Sequence, residues 1–197
     1  ASNDGYLLQH FVALNIPVLG VEPAGDAAAL AEGIGVPTRV MFFDETSAIT
    51  LSEEGIAADL MVANNVLAHV PNIRSFVAGF KTLMNPNGVA TFEFPHIASL
   101  LGSIQFDTIY HEHVDFHTVA PFEKLFARVG MEVITVERIT PQGGSIRVMA
   151  QKIGGDIKRD NSVDDLIALE YKLGLDRVDT LSRFNALNRL SVSTRSN

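Results

Sequence analysis

The stretch IPVLGVEPAGDAAALAEGIGVPTRVMFFD, residues 16–44, places a strand pattern on either side of a helix pattern. The apolar, β-branched run at 16–21 predicts a strand, the alanine-rich run at 27–33 predicts a helix, and residues 38–43 predict a second strand. A helix between two strands is typical of the right-handed crossover that joins parallel strands. This stretch therefore indicates an α/β fold.

The alternation of strands and helices continues along the rest of the chain. Apolar periodicity predicts strands at 58–64, 89–94, 131–138 and 145–151, and helices at 45–54, 72–84, 120–129 and 162–174. We expect a mostly parallel sheet with helices on both faces, in which the last two strands pair antiparallel. The residues Asn-Pro-Asn-Gly at 85–88 predict a turn.

The character of the sequence changes after Gly155, where polar helical patterns replace the strand patterns. We therefore predict two domains, a core at 1–155 and the helical start of a second domain at 156–197. Within the second domain we expect a further helix at 175–190 and a disordered tail at 191–197.

The composition excludes several classes of protein. The 197-residue chain has a formal net charge of -8, a pI near 5.1 and no cysteine. This charge argues against a nucleic-acid partner, because binding to phosphates needs clustered Lys and Arg. The lack of cysteine excludes disulfides and thiolate zinc sites and fits a reducing cytoplasm. With no long apolar run and no signal peptide pattern, we expect a cytoplasmic protein without a membrane partner. The sequence does not indicate an oligomeric state.

Polar residues stand beyond the carboxyl ends of the predicted strands, where ligands bind in α/β sheets. A carboxylate can bind both hydroxyls of a ribose, and glycine lets the backbone approach a ligand closely. Each of these residues also has a plain structural interpretation, as a helix cap or a turn residue. Their joint order is that expected of an adenosyl-ligand site. The residues are Asn3, Asp4 and Gly5 at the chain start, Glu22 with Pro23, Phe43 with Asp44, and Asn64 with Asn65.

The segment FDTIYHEHVDFH, residues 106–117, holds three of the six histidines. His113 shares a face with His111 in an extended chain and with His117 in a helix, so a metal site is one interpretation, although the zinc motif HExxH is absent. Acid–base catalysis is a second interpretation, because histidine titrates near neutral pH and a neighbouring Tyr or Glu can orient it. A structural loop is the third. The residues of this segment alone leave all three open.

Taken together, the motifs SNDGYLL, VLGVEPA, NNVLAHV, FDTIYHEH and QGGSIRV resemble the S-adenosylmethionine-dependent sugar C-methyltransferases. The resemblance covers about residues 1–155 and implies a Rossmann-like class I methyltransferase fold. It also implies S-adenosylmethionine as cofactor, S-adenosylhomocysteine as product and a nucleotide-linked 4-keto-deoxysugar as small-molecule substrate. It assigns Asn3, Asp4 and Gly5 to the methionine-binding loop, Glu22 to the ribose, Phe43 to the adenine, and Asn64 and Asn65 to the cofactor pocket. We also expect Pro23 to bind the cofactor.

The resemblance also assigns catalytic roles. It implies that Tyr110 and His113 act at the sugar, with His113 as the base, and that Glu112 and His69 belong to the same site. A base that removes a proton beside a ketone forms an enolate, whose carbon attacks the methyl group of the sulfonium. Tyr110 or His69 is expected to donate a hydrogen bond to the enolate oxygen, where charge develops. This chemistry requires no metal.

The sequence departs from the family pattern at both ends. The cysteine-rich zinc-binding domain of the family is absent, as is the strand that normally precedes SNDG, and most of the C-terminal domain is missing. We therefore expect an N-terminally truncated core that lacks its first strand, binds cofactor weakly and turns over poorly.

Three rival functions keep a similar fold. One is a methyltransferase that acts on an oxygen or nitrogen of another small molecule, and a second is a non-catalytic cofactor-binding module. The YHEH segment favours carbon as the acceptor, because an acidic C–H needs a dedicated base whereas an amine does not. A Rossmann dehydrogenase is disfavoured because no G-x-G-x-x-G motif occurs in the chain.

Overall fold

The computed structural model describes residues 1–103, 105, 110–180 and 182, which form two compact units. The first unit comprises Ala1–Ala57 and Arg74–Leu83. The second comprises Ala58–Ile73 and the chain from Met84 onward. Within the described ranges the longest helices have 11 residues, and none is long and apolar enough to cross a membrane.

The first unit contains a two-stranded parallel sheet and four helices. Its strands pair Gly20 with Thr38 and Val21 with Arg39. Because the ladder is only two residue pairs long, the strands are much shorter than the predicted strands at 16–21 and 38–43, and those predicted bounds are wrong. The elements are α1 (Leu8–Val12), β1 (Gly20–Val21), α2 (Gly25–Gly33), β2 (Thr38–Arg39), α3 (Glu45–Glu53) and α4 (Ile73–Leu83), which joins this unit at Arg74.

Helix α4 of the first unit packs against the segment that follows β2. The Phe43 ring lies edge-on to the rings of Phe76 and Phe80, with centroids 5.6 and 5.3 Å away. A Cβ on Gly79 would lie 2.7 Å from the carbonyl oxygen of Asp44, so glycine allows this close approach of the two backbones. Asp44 also begins α3 with a reciprocal capping box to Ser47, which stabilises the helix start by about 1 kcal/mol.

The second unit is built on a four-stranded sheet in the order β3-β4-β6-β5. Strands β3 and β4 run parallel, and β6 runs antiparallel to both of its neighbours. The predicted antiparallel pairing of the last two strands is confirmed, as is the α/β fold class. The elements are β3 (Ala58–Asn64), β4 (Met84–Pro95), α5 (Ile97–Ser103), α6 (Val119–Val129), β5 (Met131–Ile139), β6 (Ser145–Lys152) and α7 (Ser162–Lys172).

The core of this sheet is aromatic. Phe92 and Phe94 alternate with Glu93 along β4 and are fully buried, because residues two apart in a strand share a face. Phe122 and Phe126 of α6 pack on them with ring centroids 5.0 to 5.1 Å apart. Burying each such side chain stabilises the fold by about 1.5–3 kcal/mol. This packing holds α6 against β4 of the sheet.

Two segments of the second unit differ from their predicted description. Residues 85–88 are four extra residues within β4, because the register passes from the pair Ala58–Met84 directly to Leu60–Val89. A Cβ on Gly88 would lie 3.1 Å from the carbonyl oxygen of Asn85, so the predicted turn is a tight bulge inside the bounds of the strand. No helix or strand was predicted at residues 97–103, which form helix α5.

The predicted domain division at 155 stays a prediction, although α7 packs against β5 and α6. Of the predicted helix at 175–190, residues 178–180 and 182 are helical, whereas 175–177 are not helical, so its predicted start is wrong. Residues 181 and 183–190 lie outside the described residues. The predicted disordered tail at 191–197 and residues 106–109 of the YHEH segment also lie outside them.

Candidate active site

In the first unit, the Glu22 carboxylate connects the chain start to the start of α2. Glu22 directly follows β1 and is only 6% exposed. Its Oε2 accepts the backbone N–H of Asn3 at 2.9 Å, and its Oε1 accepts that of Ala24 at 2.9 Å. Because an ionised carboxylate offers about four lone pairs, two acceptor positions remain for hydroxyl groups of a ligand.

The predicted methionine-binding loop is a tight bend beside α2. Asn3 and Gly5 have φ angles of 58° and 81°, in the left-handed region. A Cβ on Gly5 would lie 3.1–3.3 Å from atoms of Val36 and Ala31, so the loop leaves no room for a side chain there. Asp4 is exposed and accepts the backbone N–H of Tyr6 at 3.2 Å. The structure therefore brings Asn3 to Glu22 and leaves the Asp4 carboxylate at the surface.

Three other predicted residues of the first unit are Phe43, Pro23 and Asp44. Phe43 is half-buried against the aromatic rings of α4, and Pro23 is half-buried beside Glu22. The Asp44 side chain accepts the Ser47 backbone N–H at 2.8 Å, so it is occupied as a helix cap. Contact of Phe43 and Asp44 with an adenine, and of Pro23 with the cofactor, stays a prediction.

In the second unit, Asn65 presents an unpaired acceptor at the end of β3. Its backbone is left-handed, with φ of 56°, and its N–H donates to the carbonyl of Glu93 at 2.7 Å. Its Oδ1 is buried without a partner among the described residues, whereas the neighbouring Asn64 is half-buried at the strand end. An unpaired buried acceptor costs roughly 1–3 kcal/mol, so a ligand donor at this oxygen would remove that cost.

Tyr110 and His113 form a hydrogen-bonded pair in the loop at residues 110–117, which we call the YHEH loop. The Tyr110 hydroxyl lies 2.9 Å from Nε2 of His113, and their ring centroids are 4.2 Å apart. The backbone N–H of His113 donates to the Tyr110 carbonyl at 3.0 Å, which closes a tight turn. When the hydroxyl donates to Nε2 of a neutral imidazole, the proton of the His113 ring is on Nδ1.

His69 lies beside this pair with a defined tautomer. It ends a 3₁₀ turn at Leu67–His69, and its ring centroid is 4.9 Å from that of His113. Its Nδ1 is 2.9 Å from the backbone carbonyl oxygen of Glu112. A carbonyl only accepts, so Nδ1 carries the proton and Nε2 of neutral His69 is an acceptor. His69 therefore donates from Nε2 only when its ring is protonated.

Glu112 contributes to this cluster through its backbone. Its carboxylate is 62% exposed and lies 3.9 Å from Nε2 of His111, which is 91% exposed. An ion pair so open to water contributes little, about 0–1 kcal/mol. A catalytic role of the Glu112 side chain stays a prediction, and His111 provides a neighbouring histidine that projects into solvent.

His117 belongs to the aromatic core. Its ring lies 5.3 Å from that of Phe94 and 5.9 Å from that of Phe122, and it hydrogen-bonds the backbone of Leu67. Burial lowers the pKa of His117 below its ordinary value of 6.5, with a partial offset from the Asp115 charge and the Leu67 hydrogen bond. His117 is therefore a neutral link between the YHEH loop and the 3₁₀ turn.

This shifted pKa predicts a loss of stability in acid. As pH falls below 6.5, the unfolded chain binds a proton at His117 that the folded chain resists, so the free energy of unfolding decreases. One group contributes at most about 1.4 kcal/mol per pH unit. Urea unfolding at pH 5.5 and 7.5 should show a smaller pH-dependent loss in His117→Gln than in the parent chain. Equal losses in the two proteins would contradict the assignment.

The sequence reasoning missed a buried pair, His96 and Glu170. His96 directly follows β4 and is 1% exposed, and its Nε2 lies 2.8 Å from Oε1 of Glu170, which is 3% exposed. A signal for Glu170 was present in the sequence. It occupies the apolar face of α7 with Val163 and Leu166, at helical spacing of seven and four residues, where an acid is unexpected.

The described residues contain no group of three or more His, Asp or Glu side chains that could hold a metal ion. The arrangement instead offers a proton-accepting imidazole, a phenol bonded to it and a second imidazole beside them. Such a cluster can move a proton to or from a bound substrate.

Comparison with known proteins identifies the same fold and a related sequence. The model of the family described as methyltransferase domain matches residues 2–136. The C-methyltransferase NovU of Streptomyces niveus is 31% identical over 174 residues, which is 88% of this chain and 41% of NovU. The chain thus spans about two fifths of the length of this curated relative.

Solved structures agree at the level of the fold. Magnesium protoporphyrin IX methyltransferase from Synechocystis PCC 6803, solved with bound SAH, aligns with a TM-score of 0.56 at 12% identity, covering 77% of this chain and 70% of that one. The PH0226 protein from Pyrococcus horikoshii OT3 aligns with a TM-score of 0.56 at 14% identity, covering 77% and 79%. The predicted Rossmann-like methyltransferase fold is confirmed.

Proposed function

This chain belongs to the methyltransferase domain family, and from that premise we propose that it transfers a methyl group from S-adenosylmethionine to a carbon next to a ketone. As acceptor we propose a nucleotide-linked 4-keto-deoxysugar. The similarity to the C-methyltransferase NovU supports carbon as the acceptor atom, and the motif resemblance supports the sugar. S-adenosylmethionine supplies, when bound, an electrophilic methyl carbon on a sulfonium, and S-adenosylhomocysteine is the product.

The residues of the first unit fit an adenosyl ligand. The buried Glu22 carboxylate is already oriented by two backbone N–H groups and keeps acceptor positions for two ribose hydroxyls. The left-handed bend at Asn3 and Gly5 lies next to this carboxylate, to which the Asn3 N–H donates. In the second unit, the unpaired Oδ1 of Asn65 fits a ligand that carries a hydrogen-bond donor. We assign Asn3, Asp4, Gly5, Glu22, Pro23, Phe43, Asn64 and Asn65 to the cofactor.

The observation that carries the proposed chemistry is the 2.9 Å contact between the Tyr110 hydroxyl and Nε2 of His113. His113 accepts the proton from the carbon beside the ketone at Nε2, and the electron pair of that C–H bond passes into the enolate. The Tyr110 hydroxyl donates to the enolate oxygen, which offers it a charged acceptor in place of the imidazole.

His69 and Glu112 support this proton transfer. Because the Glu112 carbonyl holds the His69 proton on Nδ1, neutral His69 presents a lone pair at Nε2. Tyr110 is therefore the donor to the enolate oxygen, and His69 accepts a hydrogen bond from a sugar hydroxyl. These contacts would hold the sugar carbon next to the base His113. Such positioning of reacting groups lowers the activation barrier by several kcal/mol, about 7 or more in favourable cases.

Isotope labelling tests the proposal. We expect the chain to exchange hydrogen for deuterium at the carbon beside the ketone of a nucleotide-linked 4-keto-deoxysugar in deuterated water, as measured by mass spectrometry. With S-adenosylmethionine labelled by 13C in the methyl group, the label should appear on carbon by NMR. A label on oxygen or nitrogen would overturn the acceptor assignment. Binding of S-adenosylhomocysteine without exchange or transfer would instead support a non-catalytic binding module.

A further inference from the structure

We propose that Glu170 is a positioning residue for the YHEH loop, so that helix α7 sets the geometry of the Tyr110–His113 pair. The inference rests on the proposed function for its catalytic consequence, but its structural part stands on contacts of the second unit alone. Glu170 touches none of the groups proposed to contact the substrate, and it acts through the start of α6 and through His96.

The Glu170 carboxylate caps helix α6 from a distance of about fifty residues along the chain. Its Oε1 accepts the backbone N–H of Val119 at 2.7 Å, and its Oε2 accepts that of Ala120 at 3.2 Å. The residue before the helix, Thr118, makes no capping hydrogen bond with its own side chain. A negative charge at a helix N-terminus is favourable because the first N–H groups point toward it. Glu170 therefore fixes the start of α6.

The Glu170 carboxylate also binds His96, whose backbone lies beside the last residue of the YHEH loop, His117. Nε2 of His96 lies 2.8 Å from Oε1 of Glu170. The backbone of His96 forms a parallel bridge with His117, and the N–H of Ile97 donates to the His117 carbonyl at 3.4 Å. The buried Oε1 of Glu170 thus bonds both His96, which follows β4, and Val119, the first residue of α6.

The opposite side of the loop is tied to the 3₁₀ turn. The N–H of Val114 donates to the Ala68 carbonyl at 2.8 Å, and the Glu112 carbonyl accepts from His69. His113 lies between the two bonded residues Glu112 and Val114, and it is four residues before His117, whose backbone bridges to the His96 that Glu170 holds. Loss of the Glu170 contacts would leave the loop fixed through its bonds to the 3₁₀ turn, and a shift of about 1 Å in a catalytic group can cost up to about a hundredfold in rate.

A purely structural role for Glu170 makes a different prediction. Such a role would lower the stability of the whole unit, so that all its slowly exchanging amides would exchange faster by the same factor. A positioning role would loosen the loop while the centre of the sheet keeps its protection.

Glu170→Gln tests this difference. The variant keeps the side-chain size, but its amide N–H₂ replaces one of the two carboxylate oxygens that accept from Val119, Ala120 and His96. The control is Asp165→Asn, on the exposed face of the same helix. By amide hydrogen exchange we expect about tenfold faster exchange at His113 and Val114 in Glu170→Gln, with Val148 of β6 unchanged. We also expect kcat for methyl transfer to fall about tenfold, with KM for S-adenosylmethionine unchanged.

The outcomes separate the inference from the proposed function. Uniform acceleration of all amides, or acceleration limited to Val119 and Ala120 with kcat intact, would overturn the positioning role. If the parent chain transfers no methyl group, the proposed function fails while the exchange experiment still decides the structural part. If Glu170→Gln does not fold, His96→Gln removes the imidazole but keeps the helix cap, and faster exchange at His113 and Val114 is again expected. Unchanged exchange there would contradict the inference.

Discussion

Replacing His113 by Gln should lower the rate of methyl transfer by about 10²–10⁴-fold, the usual contribution of a general base. Glutamine keeps polar atoms in the loop but cannot accept a proton near neutral pH. Hydrogen–deuterium exchange beside the ketone should fall by the same factor, because it depends on the same proton transfer. Binding of S-adenosylhomocysteine, measured by calorimetry, should change little.

The control for this prediction is His111→Gln, two residues away in the same loop. His111 is 91% exposed and pairs only weakly with Glu112, so this variant should keep the parent rate. Tyr110→Phe adds a graded comparison, since it retains the ring that packs 4.2 Å from His113 but loses the hydroxyl. Equal losses in His111→Gln and His113→Gln would contradict His113 as the base.

The second large effect is expected at Glu22. Glu22→Gln should weaken binding of S-adenosylhomocysteine by about 10–100-fold, because hydrogen bonds to a charged group contribute about 1.5–3 kcal/mol. The amide would also direct an N–H₂ group at the N–H of Asn3 or Ala24, which now donate to the carboxylate. Titration calorimetry of parent and variant gives the affinity ratio directly.

Asp26→Asn is the matched control for Glu22→Gln. Asp26 lies in the first turn of α2, four residues from Glu22, and its side chain is exposed. The Asp26→Asn variant removes one negative charge near the start of α2, as Glu22→Gln does, but leaves the Glu22 carboxylate unchanged. If both variants weaken binding equally, the effect is one of net charge, and Glu22 does not contact the ligand.

Long periodic elements were predictable from the sequence. Strand β3 and helices α4 and α6 agree with their predicted bounds to within one residue. The two helices each bury one face, and the spacing of their apolar residues shows that period in the sequence. Gly130, with φ of 85°, ends α6 as its type suggests. Strands β1 and β2 were overestimated because strand length depends on the partner strand, which no local pattern records.

In the candidate site, too, local sequence patterns predicted which residues to consider, whereas the contacts between them depend on the tertiary structure. Residue types beyond the predicted strand ends led to the prediction of Glu22, Asn65, His69 and the YHEH loop as site residues, because ligands bind beyond the carboxyl ends of strands in α/β folds. Their contact with a ligand stays a prediction. Their contacts were not predictable. The Glu112 carbonyl, and not its carboxylate, orients His69, since backbone direction depends on the turn that Tyr110 and His113 close. Asp44 is occupied as a helix cap.

Strand β6 sets a minimum length for any shortened version of this protein. The family match ends at residue 136, yet β6 (Ser145–Lys152) lies beyond it and supplies the partner for both β4 and β5. A chain cut at the end of the match would leave two long apolar strands with unpaired edges, the kind of surface that recruits other chains into aggregates. The region matched by the family model is therefore shorter than the region that completes the strand pairing of the second unit.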